Sequence, residues 1–254
     1  MSKTAVITGG AGNLGQALCA ELVERGWQVQ LIDLPSLALA AAEGPKVSAF
    51  ACDLTNPAQV KSACARIAAA SPAIDLVIYN AGVTQVAGFA ESSLDSHRRV
   101  FEINYFGAVS VAKELLGAVR LARGTHLAMS SVAGFTPLFH RTAYSASKHA
   151  LEGFFKSLRT EEERHGVSCL IAAPSFIAND PAPGADPDGL LRPGSTGDNI
   201  DAMSAAEAAR IVLSGYDRRA PMTPVGRIAR LAWWVNRLSP GFYETQMKKR
   251  IHGA

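Results

Sequence analysis

Apolar and polar positions alternate in blocks along the 254-residue chain. Short, nearly unbroken apolar runs stand around Ala5-Val6-Ile7, Val29-Gln30-Leu31-Ile32, Val47 to Ala51, Leu76-Val77-Ile78, Leu127-Ala128-Met129 and Ser168 to Ala173. Runs of that length, closed by Gly, Asp, Asn or Pro, read as strands buried on both faces. Between them apolar residues recur every three or four positions, the spacing of a helix with one buried side. The two longest such segments run from His97 to about Ala122 and from Thr142 to about Arg164. The first carries Val100, Ile103, Phe106 or Gly107, Val111 and Leu115 as its stripe; the second has Ala146, Ala150, Leu151, Phe154, Phe155 and Leu158. Shorter helices are predicted from the glycine-rich loop to about Arg25, after Asp33 and from Pro57, and Ser204-Ala205-Ala206-Glu207 has the spacing of a capping box. Strand and helix alternate with no internal repeat and no long linker, so the pattern predicts an α/β doubly wound parallel sheet of about seven strands with helices on both faces.

Composition narrows the class. Apolar residues make up 48% and charged residues 19%, enough to bury a core and too apolar for a disordered chain. Cys19, Cys52, Cys64 and Cys169 are scattered, without CxxC spacing or a His cluster beside them. They read as reduced thiols rather than as disulfides or a metal site, so no metal is expected. The N-terminus enters a strand at once, and no run of 18 apolar residues occurs, so a soluble cytoplasmic protein is expected. The net charge of +3 is uneven: from Tyr216 onward eight Lys/Arg face Asp217 and Glu244, leaving residues 1–215 mildly acidic. No basic groove points to nucleic acid.

Candidate chemistry begins at the first strand. Thr8-Gly9-Gly10-Ala11-Gly12-Asn13-Leu14-Gly15 lies between a strand and a helix, the context in which glycines let backbone N–H groups and a helix N-terminus approach a pyrophosphate. Asp33 ends the second strand, 18 residues past Gly15, followed by Leu34 and no Arg. A carboxylate there accepts bonds from ribose hydroxyls and repels a 2′-phosphate, so NAD is expected over NADP. A strand-end Asp capping a helix is the plainer alternative. Tyr144 and Lys148 are four apart on a predicted helix, so an ammonium can approach a phenol and lower its pKa.

Tyr144-Ser145-Ala146-Ser147-Lys148, with Ser131 thirteen residues upstream, Asn104 in Ile103-Asn104-Tyr105-Phe106-Gly107 and the N-terminal glycine loop, resembles the short-chain dehydrogenase/reductase family in its compact single-domain branch. The likeness spans roughly residues 3 to 225 and implies a single-domain Rossmann fold. By that resemblance Tyr144 is the general acid or base, and Lys148 holds the phenolate and the nicotinamide ribose. Ser131 binds the substrate oxygen. Asn104 distorts its helix so that a main-chain carbonyl holds a water. Gly9, Gly12, Asn13, Leu14, Gly15, Asp33, Leu34, Asp53, Leu54, Asn80, Ala81 and Gly82 line the cofactor, with Pro174 and Ile177 at the carboxamide. Asp53 could equally be a turn residue. Two segments depart from the family: Tyr79-Asn80-Ala81-Gly82 has Tyr for the first Asn, and Pro174-Ser175-Phe176-Ile177-Ala178-Asn179 has Ser175 for Gly and Asn179 for Thr. Thr84, Phe139, Ser175 and Phe176, with Ser131, are the substrate candidates. Ala133, Leu138 and His140 lie near Tyr144, and none of this set is Arg or Lys. A neutral, moderately apolar secondary alcohol or ketone is the expected substrate.

The loop also fits TGxxGxxG, the pattern of the extended branch, so an NAD-retaining epimerase or dehydratase is the first rival and a non-catalytic NAD-binding sensor the second. The family further implies a homodimer or homotetramer through the helices near 97–122 and 142–164. The Pro-, Gly- and Asp-rich residues 180–200 fall where it has a substrate loop, here 178–203, within a catalytic domain of 1–225. Residues 226–254 form a C-terminal helical extension. Its Arg227–Leu238 stretch places Ile228, Leu231, Val235 and Leu238 on one face and Arg227, Arg230 and Arg237 on another, with Trp233 and Trp234 beside the basic face. The plainest reading packs Ile228 and Leu231 on the body. Subunit or loop contact comes next, and peripheral attachment to an anionic membrane ranks below it, because the helix is short and its stripe narrow.

Overall fold

The computed structural model describes residues 2–178, 190, 191, 193 and 202–252. Asn179 and most of the expected substrate loop lie outside them. In chain order the elements are β1 (Thr4–Thr8), α1 (Asn13–Glu24), β2 (Gln28–Asp33), α2 (Leu37–Ala41), β3 (Val47–Ala51), α3 (Pro57–Ala70), β4 (Leu76–Tyr79), β5 (Thr84–Gln85), α4 (Leu94–Phe101), α5 (Gly107–Ala122), β6 (Thr125–Met129), α6 (Thr142–Glu162), β7 (Ser168–Pro174), β8 (Leu190–Leu191), α7 (Ala205–Asp217), β9 (Met222–Val225), α8 (Arg227–Leu238) and α9 (Pro240–His252).

Seven strands form one sheet in the order β3-β2-β1-β4-β6-β7-β9, and every pairing in it is parallel. Two apolar cores cover its faces. On one side Ile67 of α3, Leu115 of α5 and Phe155 of α6 pack on Val6, Val77 and Ile171. On the other, Leu18 and Leu22 of α1 and Val212 and Leu213 of α7 pack on Ile7, Leu31 and Ile78. Burial on both faces is why the strands read as unbroken apolar runs. Strand order reverses between β1 and β4, and at such a switch point the two crossovers diverge and leave a crevice at the strands' C-terminal ends. The short pair β5–β8 is antiparallel and brings Leu190 down on Val100 and Ala143.

The helix expected over 97–122 is two helices. α4 begins at Leu94, and Glu102–Phe106 form a single π turn before α5. The widened turn contains buried Asn104, whose amide is bonded to chain outside the helix, and side-chain bonds of that kind sustain such bulges. Gly107 faces the core, while Phe106 is exposed. The tail also departs from expectation. α8 packs through Ala229 and Ala232 on Val132, Phe135 and Tyr243, Trp233 stacks edge-on against Phe135, and Asn236 Nδ2 donates to the Phe135 carbonyl. Leu231 is 66% exposed and does not pack on the body. The small Ala pair allows the close backbone approach that Leu231 would block.

Tyr79, where the family has Asn, belongs to the core. Its hydroxyl lies 2.6 Å from His126 Nδ1, inside the layer that holds Phe155. Burial pushes His126 from 6.5 down to about 4, against the opposing pull of the Glu162 carboxylate. The unfolded chain therefore takes up this proton first as pH falls. The stability it represents is full above about 6.5 and is lost toward about 4, at roughly 1.4 kcal/mol per pH unit. Urea unfolding at pH 7 and pH 5 should show His126→Phe losing less stability on acidification than the parent chain. Equal losses would remove His126 from the account.

Candidate active site

The crevice is a cleft of about 970 Å³ bordered by the glycine loop, the ends of β2, β3, β4, β6 and β7, and the start of α6. The glycine loop is fixed first. Gly9 has φ +67°, and a Cβ there would sit 2.8 Å from Ala81 Cα. Thr8 Oγ1 accepts from the N–H groups of Asn80 and Ala81, both at 3.1 Å, and Asn80 Nδ2 donates to the Gly9 carbonyl at 3.0 Å. Gly12, Asn13 and Leu14 line the cleft. Gly15 does not line it: this glycine packs against Gly9 and Gly10 and seats α1 on the loop.

Asp33 lines the cleft at the end of β2. Its Oδ2 accepts from Ala11 N–H and its Oδ1 from Leu34 N–H, both at 2.8 Å. The carboxylate thus holds the loop and keeps spare lone pairs toward the cleft. Ser36, not Asp33, caps the helix that follows. Asp53 fills both of its expected places. It lines the cleft beside Leu54, and its Oδ1 accepts from the Thr55 N–H and hydroxyl.

On the opposite wall Ser131, Tyr144 and Lys148 converge, all buried. Ser131 ends the β6 segment and caps a one-turn 3₁₀ helix, accepting from Ala133 N–H at 3.2 Å. Burial raises the Tyr144 phenol above its ordinary value, and a hydrogen bond with Ser131 and the positive charge of Arg141 offset this only in part. Lys148 Nζ donates to the Met129 carbonyl at 2.9 Å and lies 5.7 Å from the centroid of the Tyr144 ring. Burial pulls this ammonium down to about 8, opposed by the charge of Glu152. Arg141 thus adds a positive charge at the phenol beside that of Lys148. Asn104 stands behind this group. Its Oδ1 accepts from Val83 N–H at 2.8 Å, and its Nδ2 donates to the Val83 carbonyl and to Ser147 Oγ. A Cβ on Gly82 would come within 3.3 Å of Asn104 Oδ1 and 3.4 Å of Lys148 Nζ. Glycine there leaves Asn104 and the ammonium uncrowded.

Thr84, Pro174, Ser175, Phe176 and Ile177 also line the cleft. Phe139 does not. With Leu138 and His140 it borders a neighbouring apolar cavity of about 460 Å³ that Glu244, Met247 and Lys248 of α9 also line; Leu138 borders both spaces. The expectation of a wall without Arg is corrected, because Arg98, Arg99 and Arg141 all border the cleft. Arg98 is paired with Asp95 at 2.9 Å.

Sequence reasoning missed Glu152. It is buried on the Lys148 face of α6, one turn further along. Ser130 Oγ donates to its Oε1 at 2.8 Å, and Lys156 Nζ to its Oε2 at 2.6 Å. The signal was present: Tyr144, Lys148, Glu152 and Lys156 repeat at four-residue spacing. Among the described residues no three His, Cys, Asp or Glu side chains come together as metal ligands.

A family model described as short chain dehydrogenase matches residues 3–186. Dehydrogenase/reductase SDR family member 7B of Bos taurus is 35% identical over 185 residues, 68% of this chain and 57% of its own length. 17-beta-hydroxysteroid dehydrogenase type 2 of Homo sapiens is 32% identical over 186 residues, 70% of this chain and 48% of its own. The chain thus spans about half the length of these two relatives. A short chain dehydrogenase from Burkholderia cenocepacia, solved in complex with NADP, superposes with a TM-score of 0.85 at 23% identity, covering 96% of this chain and 97% of its own. With the matched model covering most of the chain and the parallel sheet, glycine cradle and Tyr–Lys wall in place, the chain belongs to the short-chain dehydrogenase family.

Proposed function

We propose that the chain is an NAD-dependent oxidoreductase that transfers a hydride between nicotinamide and a secondary alcohol or ketone. The observation that carries this reading is the convergence of Ser131, Tyr144 and Lys148 on one wall of a cleft whose other wall is a glycine cradle. The cradle fits a dinucleotide, since Gly9 and Gly82 present bare backbone to the cleft and a side chain at Gly9 would collide with Ala81. NAD, when bound, supplies the carbon that accepts or gives the hydride. Tyr144, as phenolate, takes the alcohol proton during oxidation and returns it during reduction. Ser131 holds the substrate oxygen and offsets its developing charge. Lys148, as ammonium, holds the ribose hydroxyls and stabilises the phenolate. Both amide ends of Asn104 are occupied, and the water relay behind Lys148 that the family resemblance implies would use a main-chain carbonyl of the π turn.

Val83, Leu138 and Phe176 give the substrate side an apolar lining, and Arg98 is paired. A neutral, moderately apolar alcohol suits that lining, and the hydroxysteroid named for the human relative is one such class. Four free, buried thiols suit a reducing compartment such as the cytoplasm. Exposed Phe106 and Leu121 of the 102–122 stretch support the reading of a homodimer or homotetramer through these helices.

Tyr144→Phe should lower turnover by roughly 10²–10⁴-fold, the usual contribution of a positioned acid or base, while cofactor still binds. NADH formation across alcohols, polyols and sterols would measure it, and near-normal turnover in the variant would sink the mechanism. An epimerase would retain its cofactor and form no net NADH.

Cofactor choice follows from Asp33, whose carboxylate meets the ribose end. The ratio of kcat/KM for NAD over NADP should exceed roughly 100-fold, because an uncompensated like-charge contact costs several kcal/mol. Asp33→Ser should narrow that ratio. An unmutated chain that prefers NADP would refute the role.

Glu152 acts through Lys148. Removing its charge takes away the one influence that raises the lysine. Glu152→Gln should therefore shift the alkaline fall in activity, where Lys148 loses its proton, to lower pH. An unmoved alkaline limb would assign Glu152 to packing alone.

A further inference from the structure

The tail helix α8 turns its apolar line away from the protein. Ala229, Ala232 and Asn236 face the body, whereas Leu231, Trp234 and Leu238, spaced three and four apart, are 66%, 60% and 78% exposed. Phe242 at the start of α9 is 54% exposed. Arg227 lies on the same outward line. Arg230 and Arg237 flank it, and all three are exposed. Between Arg227 and Lys248 the only acidic residue is Glu244.

From this face we infer that α8 is a peripheral docking surface for an anionic lipid membrane. Exposed large apolar side chains in a row signal a surface that something covers. A Trp beside Leu, rimmed by Arg, matches the depth profile of a lipid interface: hydrocarbon below, headgroup phosphates above. A second copy of the chain fits less well. A two-fold contact through this line would set the arginines of one copy against those of the other, with Glu244 the only acid in the stretch to offset them. No helix among the described residues is long and apolar enough to cross a membrane, and the attachment proposed for α8 is peripheral. The body-facing side of α8 rests on Val132 and Phe135, directly after Ser131. The adjoining α9 lines, through Glu244, Met247 and Lys248, the apolar cavity that shares Leu138 with the cleft. Docking would therefore hold the apolar approach to the cleft close to the lipid. The placement rests on exposure and charge, not on the proposed reaction.

The test is co-sedimentation of the full-length protein with phosphatidylcholine vesicles, with and without added phosphatidylserine. Binding is expected only to the anionic vesicles, weakening as salt is raised and accompanied by a blue shift of tryptophan emission. Arg230→Ala and Arg237→Ala should each weaken it by about fivefold. Leu231→Glu with Trp234→Ala should abolish it, while circular dichroism and the mass in solution stay unchanged. Three outcomes would each overturn the inference. These are no sedimentation with anionic vesicles, equal binding to neutral ones, or a drop in solution mass caused by the Leu231 and Trp234 substitutions. The last would assign the face to a second copy. None of these readouts depends on turnover, so a failed oxidoreductase reading and a failed membrane reading remain distinguishable.

Discussion

The ends of β1 and β4 are tied by Thr8 Oγ1, which accepts from two successive N–H groups, and by the Asn80 amide on the Gly9 carbonyl. Everything in the cleft depends on that junction. It lies where the strand order reverses, so the crossovers leave in opposite directions and cannot fill the space above it. The junction needs Gly9, because a side chain there would collide with Ala81. Asp33 then fixes the loop from the other side through Ala11 N–H. Three strand ends, β1, β2 and β4, are thereby held by short polar contacts, and the wide, backbone-lined floor that results can admit a dinucleotide.

The opposite wall works by burial. Tyr144, Lys148, Glu152 and Lys156 occupy one face of α6; the first three are buried, and Lys156 reaches solvent. Desolvation favours the neutral form of Lys148. Glu152, itself held by Ser130 and Lys156, opposes that tendency. Ser130 and Ser131 leave the end of β6 in opposite service, the first toward Glu152 and the second toward Tyr144. Asn104 gives up a regular helical turn to brace Val83 and Ser147. The local cost of the π turn is offset by a fully bonded buried amide.

The sequence by itself determined the sheet and the positions of the main groups. Its apolar runs are buried on both faces, which leaves a strand no alternative, and its glycine loop lies between a strand and a helix. Tyr144 and Lys148 are linked by helical spacing, a local quantity. The tertiary structure decided what depends on distant neighbours. Tyr79 stands where a polar Asn was the family pattern, and only the packing against His126 and Phe155 shows it to be core. Phe139 adjoins Leu138 in sequence yet does not reach the cleft that Leu138 lines, because a loop has no period from which direction can be read. In α8 the apolar stripe is legible but its direction is not: the larger side chains suggest an inward face, while contact with Val132 and Phe135 requires small residues, so Ala229 and Ala232 turn inward and Leu231 and Trp234 outward. Periodicity fixes which residues share a face; only the shape of the partner surface fixes where that face points.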